Sequence, residues 1–471
     1  MDVDFIGMYK MKKTPNVSGI FYPDNANDIT NLIKLFASGK SIGYKSKAII
    51  VPHAGYQFSG HAMNIGYEHF LFEENVFVIA PSHHYDFQGI ALPEYERFET
   101  PYGTLEVNHT IIQENREVFG CYIDNTPFEE EHSIEVQLPF IQHYSGNTKI
   151  INAANLMKGF KKVKIIPLLT GNCKPELIAN IIARYWNRAS FVISTDLSHF
   201  HPDNIAKQTD NYTAWMIETG HIEKFNKEQA CGGTALCGLV EFAKRKHANL
   251  IRLEMFNSGD ITNDKAKVVG YGSWFLYEGS KTEFISKYFS DYLIEECKKS
   301  ILLGFEGLKY EPESTPGVLQ QYGASFVTLE ISGHLRGCMG SIYSDKPLIN
   351  DITSNAQSAA FFDPRFDPLR PEEFNDLTIS ISILSEPEQI SFKNEQDLLN
   401  KIYPYGIILM DKGKRGVYLP VVWDQLPDKK LFLNSLKEKA GFYPEYFSNT
   451  MEVYKFTTEY ITNNNEYYYD E

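Results

Sequence analysis

The sequence predicts two domains of different class: an α/β layer with a central, mostly parallel sheet over residues 1–280, and an α+β domain over residues 281–471. Three observations carry this expectation. In the first half, short apolar runs alternate with amphipathic helical stretches. In the second half, strand-like segments alternate apolar with polar residues, as half-buried antiparallel strands do. Between them lies a polar, turn-prone break, Tyr277-Glu278-Gly279-Ser280-Lys281.

Taken in order, residues 47–51, 76–80, 164–169 and 191–194 read as short buried strands. Helical periodicity marks residues 26–37 (Ile29, Leu32, Ile33, Phe36) and 175–186 (Leu177, Ile178, Ile181, Ile182). Residues 268–276 read as a last strand of this domain. Beyond the break, residues 283–303 carry apolar positions at helical spacing. Residues 325–331 and 377–384 alternate as strands, and residues 406–409 and 416–420 flank a turn, Asp411-Lys412-Gly413-Lys414-Arg415, as a hairpin. The tail from about residue 463, N-N-N-E-Y-Y-Y-D-E at its end, is polar and of low complexity and is expected to fray.

The 471-residue chain has 60 acidic and 45 basic residues, a net charge of −15. Binding nucleic acid phosphates needs concentrated Lys and Arg, so no nucleic-acid role is expected. No apolar run is long enough to span a bilayer, and the start, M-D-V-D-F-I-G-M, lacks a signal-peptide core, so no membrane association and a cytoplasmic location are expected. Six cysteines, at 121, 173, 231, 237, 297 and 338, form no dense framework. In a reducing compartment a cysteine with a special role is metal-bound or reactive.

Three histidine motifs each follow a predicted strand: V-P-H-A-G-Y with His53, A-P-S-H-H with His83 and His84, and S-T-D-L-S-H-F with His199. Loops beyond the carboxyl ends of strands in an open α/β sheet converge on one crevice. Cys231 in A-C-G-G precedes a predicted helix, whose dipole favours thiolate. Thiolate plus imidazoles suits Fe(II), Cu or Zn, and two His with one Cys leave positions open for substrate. Asp196 is placed to ligate or to orient His199, and His199 could equally be a free general base. Each residue alone has a bland alternative: a hydrogen-bonded strand-end His, a turn at Tyr56, a helix cap at Asp196, a core thiol at Cys231. Together, each at an element boundary, they point to one site. His84 is either a supporting donor or solvent-facing. The run Glu129-Glu130-Glu131 before His132 reads as a solvated helix start, with His132 a candidate at the pocket edge.

These motifs, with E-E-H-S-I-E-V-Q-L-P-F, occur in an order that resembles the Memo family over roughly residues 14–278. The resemblance implies the fold of class III extradiol dioxygenases with a metal pocket at the sheet edge. It implies His53, His83 and Cys231 as metal ligands, and Asp196 and His199 as catalytic pocket residues with His199 at the base position; Tyr56, His84 and His132 stand beside these as further pocket candidates. It also implies iron, Fe(II) first, or copper. The cysteine stands where the ring-cleaving dioxygenases use a carboxylate.

In the second half, H-L-R-G-C-M-G-S (334–341) follows a predicted strand. Arg336 and Cys338 are candidates for an anion hole and a reactive thiol; the alternative is a Gly-rich turn with a buried thiol and an Arg tied to an acidic neighbour. This segment, A-F-F-D-P-R-F, L-T-I-S-I-S-I-L and G-V-Y-L-P-V-V-W resemble the AMMECR family over roughly residues 283–460. The two families recur with a radical-SAM protein as the AmmeMemoRadiSam system, so the resemblance implies a radical-SAM partner. The chain has no C-x-x-x-C-x-x-C of its own.

Two functions are therefore expected to compete. One is a metal-dependent, dioxygenase-like oxidoreductase acting on a small molecule. The other is a non-catalytic metal- or peptide-binding adaptor using the same pocket. A purely structural zinc site is disfavoured, because such sites close with four protein ligands.

Overall fold

The computed structural model describes residues 11–37, 42–146, 162–226, 228–313, 315–343 and 345–463. The tail expected to fray, from residue 464 on, lies outside the described residues, as does the start read against a signal peptide. The chain divides into two compact units that meet at Ser280 and Lys281.

The N-terminal unit is built on a twelve-stranded sheet. Its centre is β1 (Ala48–Val51), β2 (Asn75–Pro81), β3 (Lys164–Thr170), β4 (Ala189–Ser194) and β5 (Val268–Tyr277), in the order β3-β2-β4-β1-β5. The first four run parallel and β5 is antiparallel to β1. Every residue of β1 and β4 is buried, which is why β1 and the centre of β4, Phe191-Val192-Ile193, read as apolar runs. The register aligns Val51 with Ser194, Ile79 with Ile193 and Pro81 with Thr170, so the carboxyl ends of β1, β2, β3 and β4 share one edge.

Helices cover the sheet. Tyr56–Glu68 starts just after β1 and buries Met63, Ile65 and Tyr67; Pro175–Tyr185 packs against Gly233–Lys246. One polar knot is buried beside β5. Arg252 donates to both oxygens of Glu218 (2.6 and 2.9 Å), and the Trp274 indole N–H donates to the same carboxylate (3.0 Å). A buried ion pair is tolerated when every donor is so satisfied.

The C-terminal unit opens with a 25-residue helix, Lys281–Phe305. Two four-stranded antiparallel sheets follow. The first contains β6 (Ala324–Ile331), β7 (His334–Gly340), β8 (Leu377–Leu384) and, at its edge beside β8, a strand at Thr458–Thr462. The second is built on the hairpin Gly406–Asp411 and Lys414–Tyr418. Its turn residues Lys412 and Gly413 have φ of 48° and 74°, the left-handed pair that matches strand twist in a two-residue hairpin. Residues 334–340 are strand β7 itself, paired antiparallel with β6, and not the Gly-rich turn that one of the two readings expected. Gly337 is required there by packing: a Cβ would lie 2.0 Å from the Ala359 carbonyl oxygen.

Candidate metal centre and the cavity beside it

The shared strand edge delivers the site. His53 sits two residues past Val51, His83 two past Pro81, and Thr195-Asp196 directly follow Ser194. Cys231 lies just before the helix Gly233–Lys246 and is pinned to the end of β4: the Gly232 N–H donates to Thr195 Oγ1 (2.8 Å). A Cβ on Gly232 would come 2.7 Å from Thr195 Cβ, so only glycine lets the loop approach this closely.

His53 Nε2 lies 3.2 Å from Cys231 Sγ. The ligand atoms of His53, His83 and Cys231 all lie within 4.8 Å of one another. Hydrogen bonds around His53 fix its tautomer. Ser194 Oγ has one proton, which it donates to the Ser133 carbonyl (2.7 Å), and it accepts from Gln137 Nε2 (2.9 Å). His53 Nδ1, 2.9 Å from the same oxygen, must therefore donate, leaving an Nε2 lone pair toward Cys231. His83 is set likewise: its Nδ1 lies 2.9 Å from Glu131 Oε1 and its backbone N–H donates to Oε2 (2.6 Å). Both imidazoles thus have the backing partner that metal-ligating histidines use.

The electrostatics follow from these contacts. Burial alone would raise the Cys231 thiol, but the neighbouring His53 imidazole and the His83 bond bring it down to about 6. The Asp196 N–H also donates to this sulfur (3.3 Å). Burial would lower His83, yet its bonds to Cys231 and Glu131 push it up to about 10. Burial opposes ionisation of Glu131, but His83 and the backbone N–H groups of His83 and Ser133 hold its carboxyl well below the carboxylate range. At neutral pH the metal-free centre is thus a thiolate and a carboxylate on either side of the His83 imidazolium.

His132 stands beside the centre, its ring parallel to His83 at 5.1 Å and edge-on to His53 at 5.8 Å. Burial first, and the crowding of other imidazoles beside it, bring it down to about 4, so it is neutral at pH 7. Asp196 is buried and accepts from the His53 N–H (2.8 Å). Burial raises its carboxyl against that bond and the nearby His199 charge. Its oxygen lies 4.0 Å from His53 Nε2, so it braces the His53 loop. His199 is half-buried on the short strand His199–His201 and lies outside the His53–His83–Cys231 group.

Two expectations need correction. Tyr56 does not line the pocket. It is 1% exposed, packs its ring on Tyr22 and Phe140, and donates its hydroxyl to the Val136 carbonyl (2.7 Å), because it opens the helix that lies under the site. The acidic run is no helix start either, and although Glu129 and Glu130 are exposed its third member is not solvated. Glu131 is buried against His83, Glu135 accepts from the N–H groups of Asn16 and Val17, and the helix begins only at Leu138. Of the two readings left open for His84, the solvent-facing one holds: its side chain is 40% exposed, 3.9 Å from exposed Glu130.

A cavity of about 720 Å³ borders Cys231. Tyr85, Phe87 and Phe225 give it aromatic walls, Asn172 and Asn226 give it amides, and Asp86 lines it; no Lys or Arg does so among the described residues.

In the C-terminal unit Arg336 is no free anion receptor. Both its Nε (2.9 Å) and Nη2 (3.1 Å) donate to Glu373, and the rest of the guanidinium caps the carbonyls of Asp367 and Pro368. Asp363 is bound by Arg365 in the same manner. Cys338 accepts from Thr328 Oγ1 (3.3 Å), and its N–H donates to Asp363 (2.9 Å).

A family model described as Memo-like protein matches residues 13–275, and one described as AMMECR1 matches residues 294–461. A MEMO1 family protein of Aquifex aeolicus is 30% identical over 275 residues, covering 55% of this chain and 97% of its own. A MEMO1 family protein of Thermoplasma volcanium is 28% identical over 277 residues, covering 56% of this chain and 97% of its own. An uncharacterised protein of Pyrococcus horikoshii of known structure is 30% identical, covers 36% of this chain and 90% of its own, and superposes with a TM-score of 0.35.

Proposed function

The chain belongs to the Memo family, with an AMMECR1 domain fused after it, and from that premise we propose that its N-terminal unit is a metal-dependent, dioxygenase-like oxidoreductase acting on a small molecule. The observation that carries this reading is the convergence of His53, His83 and Cys231 ligand atoms within 4.8 Å. The donor set fits a transition metal on its chemistry. Both imidazoles have Nδ1 engaged, which turns Nε2 toward the centre, the His83 Nε2 proton being the one a metal would displace, and the sulfur is a thiolate at neutral pH. The 3.2 Å between His53 Nε2 and Cys231 Sγ is near the roughly 3.5 Å that ligands about 2.0–2.3 Å from one ion would keep.

These three residues would hold Fe(II), Cu or Zn, with Fe(II) favoured by the family resemblance. Such an ion supplies Lewis-acid or redox chemistry at the positions the protein leaves open. The chain's own groups do the rest. Glu131 and Ser194 hold the imidazoles in register, and Asp196 fixes the His53 loop. His199 is assigned the moving proton, as the base position of the resemblance implies. The cavity beside Cys231 takes the substrate. Its aromatic walls, amides and single carboxylate suit a neutral or cationic molecule and count against an anionic one, which needs cations. A radical-SAM partner would bring the Fe–S cluster for which this chain has no C-x-x-x-C-x-x-C.

The test is element-resolved metal analysis of anaerobically purified protein beside His53→Ala and Cys231→Ser, followed by spectra with and without an added exogenous ligand. Near-stoichiometric iron or copper, lost in both variants and with ligand-sensitive spectra, is the expected result. Full metal retention in Cys231→Ser overturns the centre. A spectrum that no added ligand perturbs favours the adaptor over the enzyme.

A further inference from the structure

A second cavity, of about 650 Å³, lies wholly within the C-terminal unit beside Cys338, and the chemistry above makes no use of it. Its charge is unlike that of the chain as a whole. Lys439, at the end of the helix Lys429–Lys439, holds its ammonium 4.7 Å from the Tyr418 ring centre and donates to the Val417 carbonyl (2.9 Å). Arg415, on the hairpin strand Lys414–Tyr418, holds its guanidinium 5.6 Å from the Tyr343 ring centre. Neither cation forms an ion pair among the described residues, whereas Lys346 on the same cavity pairs with Asp351 (3.5 Å). One carboxylate, Asp345, lines the rim.

In a chain of net charge −15, two cations without carboxylate partners on one cavity make a local positive potential that attracts an anion. The rings beneath them keep both positioned without neutralising them. The same rings, with Phe326, give the cavity flat apolar walls. We propose that this cavity binds a small molecule carrying a carboxylate or phosphate on a flat apolar body, the anion taken by Arg415 and Lys439 and the body laid against Tyr343, Tyr418 and Phe326. Cys338 sits in the wall as a reporter of occupancy. No bond to it is formed or broken.

The experiment uses the full chain and three probes: 2-naphthoate, 2-naphthyl phosphate and uncharged 2-naphthol. Alkylation of each cysteine by iodoacetamide is followed by peptide mass spectrometry, so that Cys338 and Cys231 are read separately. At least one anion is expected to slow Cys338 alkylation, and 2-naphthol at equal concentration is not. Protection by the carboxylate alone identifies an acid as the ligand class, and by the phosphate alone a phosphate ester. Arg415→Gln and Lys439→Gln alter exposed side chains and are each expected to raise the protecting concentration about tenfold, the loss of one charge-assisted bond. The proposal is overturned if neither anion protects Cys338, if only Cys231 is protected, if 2-naphthol protects equally, or if both variants behave as wild type.

Discussion

Glu131 does more for the centre than its place in an acidic run suggests. Its two oxygens take four N–H groups: the ring and backbone of His83 and the backbones of His132 and Ser133. Glu131→Gln keeps the shape, but its amide nitrogen must face a donor. Metal affinity is expected to fall about 10- to 100-fold, with Ser194→Ala producing a similar loss through His53, both read by chelator competition. Affinity equal to wild type in both variants would show that neither backing partner matters. The residue scale is also where the sequence was read least well. His53, His83 and Cys231 are legible because each ends a strand or starts a helix with small neighbours. Glu131 is not, since a carboxylate among carboxylates looks solvated until the fold brings β2 to it. Tyr56 misleads in the opposite way, sharing a motif with His53 while turning into the core.

Among the elements, β5 and its neighbour Asn249–Asn257 depend on one buried carboxylate. Glu218 reaches from the helix Asp203–Thr219 to both Arg252 and Trp274. Removing it strands a guanidinium that is 7% exposed. Glu218→Ala is expected to cost about 3–5 kcal/mol in equilibrium denaturation. A cost below about 1 kcal/mol would mean that water reaches Arg252 and replaces the pairing. Element types were legible to within a few residues. β1 to β4 each carry a continuous apolar run, and β6 and β8 alternate, so periodicity alone separates the two sheet kinds. What periodicity cannot carry is a segment whose glycines are there for packing. For that reason β7 reads as a turn in sequence: its Gly337 answers to the Ala359 carbonyl on another element.

At the scale of the whole molecule, each unit has sheets of its own among the described residues, one in the first and two in the second, and the chain divides at Ser280, within the polar stretch 277–281. No helix among the described residues is long and apolar enough to cross a membrane. The sulfur chemistry is equally partitioned. Burial pushes Cys121 and Cys237 up to about 12 and Cys173 up to about 11, and Cys297 higher still. Cys231 alone among the shifted thiols moves down, to about 6, and it faces a cavity open to small molecules.

That asymmetry sets how the protein ages in air. A thiolate at a cavity wall is attacked by peroxide far sooner than a buried thiol, passing to sulfenate and then irreversibly to sulfinate. Protein handled aerobically without metal is therefore expected to gain oxygen at Cys231 before the four buried-shifted cysteines, visible as 16- or 32-dalton increments on one peptide. Such a sample would fold normally, show the right mass to within two oxygens, and bind no metal. If Cys231 stays unmodified under peroxide while Cys121 or Cys173 oxidises, the thiolate is not there.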